Sequence, residues 1–238
     1  MERLATDFHW REGTIDPAIY RSVVTENEYR VPDRLAAEER VIDIGAHIGS
    51  FAWLCWQRGS RQIEAYEVDS ENLSYLRRNL AETTVQIQQK AVWRSDRPGE
   101  QLYFSGYKPM RPDGPDPAGI NTAVGNVFAT AGISVETLGL DEIIGDRRVH
   151  LLKLDCEGSE YPILLSSQRL SQVQTIVGEY HLLQEVPQAA EISGCDRFSP
   201  GSLADYLTAR RFQVEFVPHP DRRFSPRNGT FFARNLDW

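Results

Sequence analysis

Residues 41–50 read Val-Ile-Asp-Ile-Gly-Ala-His-Ile-Gly-Ser, and this stretch limits the fold more than any other in the chain. The apolar, β-branched run of Val41, Ile42 and Ile44 suits a strand buried on both faces of a parallel sheet. Gly45 and Gly49 then permit a tight turn whose backbone N–H groups approach a ligand without interference from a Cβ. From Ser50 the pattern turns helical. Phe51, Leu54 and Cys55 share one face, and Gly59 stands where a C-terminal cap is expected. Strand, glycine turn and helix is how α/β sheets cradle nucleotide-like ligands at their strand ends. The carboxylate of Asp43 sharpens the reading, because it repels a pyrophosphate and favours a cationic or amine-bearing ligand.

The rest of the chain keeps the same rhythm. Strands are expected at 63–68, 85–91, 149–155 and 175–180, with a closing pair at 212–217 and 230–234. Helices are expected between them: one with Leu73, Leu76 and Leu80 at helical spacing and Ser70 as cap, one after Ser159 with Pro162 in its first turn, and one with Leu203, Tyr206 and Leu207 capped by Ser202. This alternation predicts a doubly wound, mostly parallel sheet, and the closing pair predicts an antiparallel edge. Residues 105–132 interrupt it with four prolines and five glycines, the composition of a long lid loop; 101–104 and 134–138 around it have the makings of short paired strands. Residues 1–40 read as a helical prelude punctuated by Pro17 and Pro32.

At 238 residues the chain is long enough for one full core. Its net charge of −8 argues against nucleic acid as the main partner, since phosphate binding needs a basic face. The local arginine pairs Arg94/Arg97 and Arg222/Arg223 read as solvated loop charges. Cys55, Cys156 and Cys195 are odd in number and widely spaced, which fits a reducing compartment and neither a disulfide framework nor a zinc site. The N-terminus has no signal-peptide core and no stretch is long and apolar enough to span a bilayer, so a cytoplasmic protein with no membrane partner is expected.

The turn has Asp-x-Gly-x-x-x-Gly spacing, not that of a dinucleotide fingerprint or a P-loop. Glu67, at the end of the next strand, suits a bidentate hydrogen bond to the two hydroxyls of a ribose. Asp43 and Glu67 together describe a pocket for a nucleoside carrying an amine or sulfonium, of which S-adenosylmethionine is the common example. Asp155 ends its strand beside the switch point where open α/β sheets bind ligands, and Glu179 and His181 end the adjacent strand. His181 is the best general base by intrinsic pKa. Asp155 and Glu179 would suit Mg²⁺, although the sequence supplies no recognisable third oxygen ligand. Trp10, Tyr20, Tyr107, Phe128 and Phe198 are candidates for an aromatic acceptor site.

Val41–Ser50, followed by Tyr66-Glu67-Val68-Asp69 with Asn72 and Leu73, resembles the first two motifs of class I SAM-dependent methyltransferases. Leu152-Lys153-Leu154-Asp155-Cys156-Glu157-Gly158-Ser159-Glu160-Tyr161 is more specific. With Val135–Leu138, Leu140–Glu142 and Glu179–His181, it resembles the FkbM family over about residues 38–183. The resemblance implies a Rossmann-like seven-stranded methyltransferase sheet, and with the reading of the chain above it gives a helical cap at 1–40 and a cofactor-binding domain at 41–238. It also implies O-methylation of a hydroxyl on a natural product or sugar, with a small-molecule acceptor and a homodimer among the expected partners. N-methylation of a small amine and a non-catalytic SAM-binding module are the alternatives. By the same resemblance Gly45, Ala46, His47, Gly49 and Ser50 line the methionine end of the cofactor, Val68 flanks adenine, and Ala91 and Val92 bound its edge. His47 stands where the family pattern carries Asn.

Overall fold

The computed structural model describes residues 8–106, 121–123, 125–183, 185–221, 225 and 227–238. In chain order the elements are α1 (Asp16–Tyr20), β1 (Arg40–Ile44), α2 (Ser50–Gln57), β2 (Gln62–Tyr66), α3 (Ser70–Asn79), β3 (Gln86–Gln88), β4 (Ala91–Trp93), β5 (Leu102–Ser105), β6 (Asn126–Ala129), β7 (Ile133–Val135), β8 (Thr137–Gly139), α4 (Leu140–Ile144), β9 (Val149–Leu154), α5 (Glu160–Ser166), β10 (Val173–His181), α6 (Pro200–Ala209), β11 (Phe212–Pro218) and β12 (Asn228–Asn235). Seven strands form the main sheet in the order β11-β12-β10-β9-β1-β2-β3. β3, β2, β1, β9 and β10 are mutually parallel, and β12 runs antiparallel to both β10 and β11. The closing pair therefore makes the C-terminal edge, with the antiparallel strand one position inside β11.

Alternation along the central strands divides the core between the two faces of the sheet. Ile42, Ile44, Leu152 and Leu154 pack with Ile163 and Leu164 of α5 and Leu203 and Leu207 of α6. Val41 and Leu151 point the other way, onto Phe51 and Leu54 of α2 and Leu73 and Leu76 of α3. α2 ends as expected: Gly59 takes φ +122°, and its N–H bonds the Trp56 carbonyl.

Several expectations are corrected. The strand read at 85–91 is two strands, because β4 leaves the main sheet to pair with β8. β5 does pair with the 134–138 region, through β7 (Leu102 opposite Val135), and with β6 on its other side. Asp69, not Ser70, caps α3. Ser199, in a capping box with Ser202, caps α6, and Ser159 makes no capping bond. The described part of the N-terminal segment holds only α1 and a π-helical turn, Arg21–Thr25. Arg94 is buried, paired with Asp96 and donating to the Ala189 and Glu191 carbonyls, so it anchors a loop. Residues 107–120 and 124 of the lid, with Arg222 and Arg223, lie outside the described residues. Among the described residues no helix is long and apolar enough to cross a membrane.

Candidate active site

A cavity opens where β1, β2 and β9 end at their carboxyl ends, the place the parallel topology reserves for ligands. Gly45 and His47 of the turn, Glu67 and Val68 after β2, Ala91 and Val92 of β4, and Asp155, Cys156 and Glu157 after β9 all line it. Phe104 of β5 and Val127 of β6 complete an apolar wall. Gly45 sits at φ +74°, and a Cβ there would fall 1.9 Å from the Asp155 carbonyl oxygen, so only glycine lets the turn approach the end of β9. Gly49 also has a positive φ, but it faces away from the cavity, and a Cβ there would meet Leu76 of α3 at 2.9 Å.

Glu67 is nearly fully buried and accepts backbone N–H bonds from His47, Val68 and Asp69, each at 2.8 Å. Burial still raises its pKa to about 7, against the pull of those three bonds. A carboxylate has about four acceptor positions. Three are filled here, which leaves room for one ribose hydroxyl instead of the bidentate grip expected from the sequence.

Asp43 does not line the cavity. It shares the Val41 face of β1 and is fully buried, with Lys153 Nζ 3.2 Å from its Oδ1. Lys153 is its partner in the β1–β9 register. The ammonium donates to the Gly45 carbonyl at 2.6 Å and lies 3.9 Å from Asp155. Burial opposes the Lys153 charge, but Asp43 and Asp155 outweigh it and hold its pKa above the usual value. Asp43 thus reaches the turn through Lys153 and not from the cavity wall. Ala46 and Ser50 are likewise buried outside the cavity lining.

At the other end of the cavity stands an acidic group. Asp155 accepts from the Tyr29 hydroxyl at 2.9 Å. Glu157, in the left-handed region at φ +54°, lines the cavity beside it. His181 Nε2 lies 3.7 Å from Glu157 and 3.8 Å from Glu179, and Nδ1 lies 3.3 Å from Glu160. Burial disfavours the charged ring, yet Glu160 first, then Glu157 and Glu179, raise its pKa well above the ordinary histidine value. The three carboxylates around the ring thus favour its protonated form, unlike the near-neutral base expected from the sequence. Burial and the neighbouring Asp155 charge instead raise Glu157, to about 7, and Glu179. Asp155, Glu179 and His181 place one polar atom each within 4.8 Å of one another. A protonated ring would have no lone pair for a metal, which would leave Mg²⁺ the two carboxylates alone.

A polar clasp from the N-terminal segment closes the turn side. Arg11 donates to Asp16 through Nε (2.8 Å) and Nη2 (3.0 Å), and Nη2 also reaches His47 Nε2 (3.2 Å) and Asn72 Oδ1 (2.8 Å). Thr122 donates to Asp16. Burial lowers His47 to about 4, so its ring is neutral, with Nδ1 buried and unpartnered. Arg11, Asp16 and Tyr29 carry no local sequence signal for these contacts; the Tyr29–Asp155 bond spans 126 residues. The aromatic candidates form no single site: Trp10 and Tyr20 pack on each other, but Phe128 packs on Trp93 and Phe198 on Tyr161, while Tyr107 lies outside the described residues.

The donor set fits S-adenosylmethionine. Glu67 supplies an acceptor for a ribose hydroxyl, Val68, Ala91, Val92 and Phe104 offer apolar surface to a purine, and Asp155 faces the cavity with charge opposite to an ammonium or sulfonium. Among solved structures, methyltransferase FkbM from Methylobacillus flagellatus KT is 16% identical, with a TM-score of 0.49, over 90% of this chain and 47% of that one. The chain thus spans about half the length of that protein. A Listeria monocytogenes protein assigned as an S-adenosylmethionine dependent methyltransferase superposes with a TM-score of 0.52 at 9% identity, over 93% of this chain and 100% of that one. At that identity the likeness speaks for the fold alone. No curated protein sequence matches the chain. A family model, the methyltransferase FkbM domain, matches residues 43–214, the span that contains the glycine turn, Glu67 and the whole acidic group except its N-terminal partner Tyr29. The chain belongs to the FkbM methyltransferase family.

Proposed function

We propose that the protein methylates a hydroxyl oxygen of a small molecule, a natural product or a sugar moiety, with S-adenosylmethionine as donor. The observation that carries this reading is the distribution of carboxylates in the cavity, with Glu67 at one end and Asp155 and Glu157 at the other. When bound, the cofactor supplies an activated methyl group on a sulfonium. The chain's own task is to align acceptor, methyl and sulfur, an effect worth several kcal/mol in favourable cases, roughly 7–11 at the limit. Glu157 is the proton acceptor of this proposal: it lines the cavity, and a titration near 7 suits a base at neutral pH. Asp155, oriented by Tyr29, faces the positive end of the donor.

The acidic mouth and the net charge of −8 both oppose a nucleic-acid acceptor, whose phosphates would be repelled. Three free cysteines support a reducing, cytoplasmic setting. N-methylation is the second reading, since the same carboxylates would hold an amine. A screen of hydroxylated and amine-bearing metabolites with methyl-labelled cofactor, with NMR of the product, separates the two. The proposal expects a labelled ether; label on nitrogen, or on RNA alone, contradicts it. Glu157→Gln should slow turnover about 10²-fold or more and leave cofactor affinity unchanged; undiminished turnover removes Glu157 as base.

A further inference from the structure

The Asp155–Glu160 segment has to turn sharply after β9, with Glu157 and Gly158 both at positive φ (+54° and +98°). Nothing in a run of two left-handed residues holds itself in place, and a non-glycine residue there is strained unless its surroundings fix it. The fixing group is Glu160. Its carboxylate is fully buried in the first turn of α5 and reaches back over the segment it follows. Oε1 accepts the Cys156 N–H at 2.7 Å and Oε2 accepts the Gly158 N–H at 2.8 Å, one on either side of Glu157. Oε1 also lies 3.3 Å from His181 Nδ1 on β10.

We infer that Glu160 is the positioning residue of this site: one buried carboxylate folds the turn that presents Asp155 and Glu157 to the cavity, and holds the His181 ring by Nδ1 so that Nε2–H faces Glu157 and Glu179. A carboxylate only accepts, so the Nδ1 atom must carry a proton to bond it. The Nε2 atom has two carboxyl groups as near neighbours, Glu157 at 3.7 Å and Glu179 at 3.8 Å, whose ionised forms favour a proton there as well. His181 is thereby a fixed cation that ties β10 to the β9–α5 turn, while proton acceptance is left to the carboxylates. Asp155, within the same group, adds a fourth carboxyl group near the ring. The assignment concerns the site of the methyl-transfer reading above, but its decisive test needs no acceptor.

That test is NMR of the His181 ring in the full chain, with its signals assigned by His181→Asn. In the wild type the ring should titrate above the ordinary range near 6.5. In Glu160→Gln its titration should fall by at least about one pH unit. If an acceptor is in hand, the pH profile of kcat should move with it while KM for the cofactor changes less than about twofold. A wild-type ring that titrates near 6.5 overturns the assignment, and this measurement decides even if Glu160→Gln does not fold. A folded Glu160→Gln with His181 unmoved also overturns it. Failure to find any methyl acceptor would count against the proposed methyl transfer, whereas the protonation of the His181 ring tests the role of Glu160 by itself.

Discussion

At the residue scale, the sequence names the right side chains more reliably than it names their tasks. Asp43 stands out in an apolar strand, and a buried carboxylate does need a partner. That partner is Lys153, 108 positions away from the turn carbonyl it also holds, and sequence spacing cannot reveal it. Asp43→Ala should therefore destabilise the protein by about 3–5 kcal/mol, because it strands a buried ammonium; urea unfolding measures this, and a loss under about 1 kcal/mol would mean that the pair is unimportant. His47 makes a prediction of its own. Its folded pKa of about 4 lies below the 6.5 of the free side chain. The unfolded chain takes up this proton first on acidification, so the stability is fully present above pH 6.5 and is lost as pH falls toward 4. Thermal melts of His47→Asn against wild type should shift in favour of the variant by up to about 2–3 kcal/mol across that window. A difference that does not change with pH would contradict a buried neutral ring.

At the element scale, long apolar or strictly periodic segments are legible and short ones are not. β1, β9 and the closing pair announce themselves because central strands are apolar on both faces and edge strands alternate. The 85–91 reading merged two strands of different kinds: β3 alternates at the sheet edge, whereas Ala91, Val92 and Trp93 are all buried. Only the pairing of β4 with β8, a tertiary fact, separates them. Caps erred by a residue or a turn because Asp69 and Ser70 are both good caps on intrinsic grounds. The backbone decides for Asp69, which sits in the extended region and accepts from the N–H groups of Glu71 (2.8 Å) and Asn72 (3.0 Å). Asp69→Ala should cost about 1 kcal/mol, or about 2–4 °C in Tm. Ser70→Ala, outside the cap, should cost less than half as much; equal losses would return the cap to Ser70.

At the scale of the whole molecule, the parallel order places the ends of β1, β2 and β9 side by side, and that placement makes a site out of residues 45, 67 and 155. This much was legible from the glycine turn and the Leu152–Tyr161 block. What the sequence withheld comes from other segments: the Arg11–Asp16 clasp, Tyr29 on Asp155, and the carboxylates gathered around His181. Local pattern carries no information on such contacts, since each depends on where the fold returns the chain. The central claim, that this cavity takes S-adenosylmethionine by way of Glu67, is tested most directly by calorimetric titration with the cofactor and, separately, with S-adenosylhomocysteine. Wild type should bind one equivalent of each at micromolar Kd, and a folded Glu67→Ala should bind both at least about tenfold more weakly, the loss of one charge-assisted hydrogen bond. No binding of either ligand by the wild type, or unweakened binding by the variant, would contradict the account.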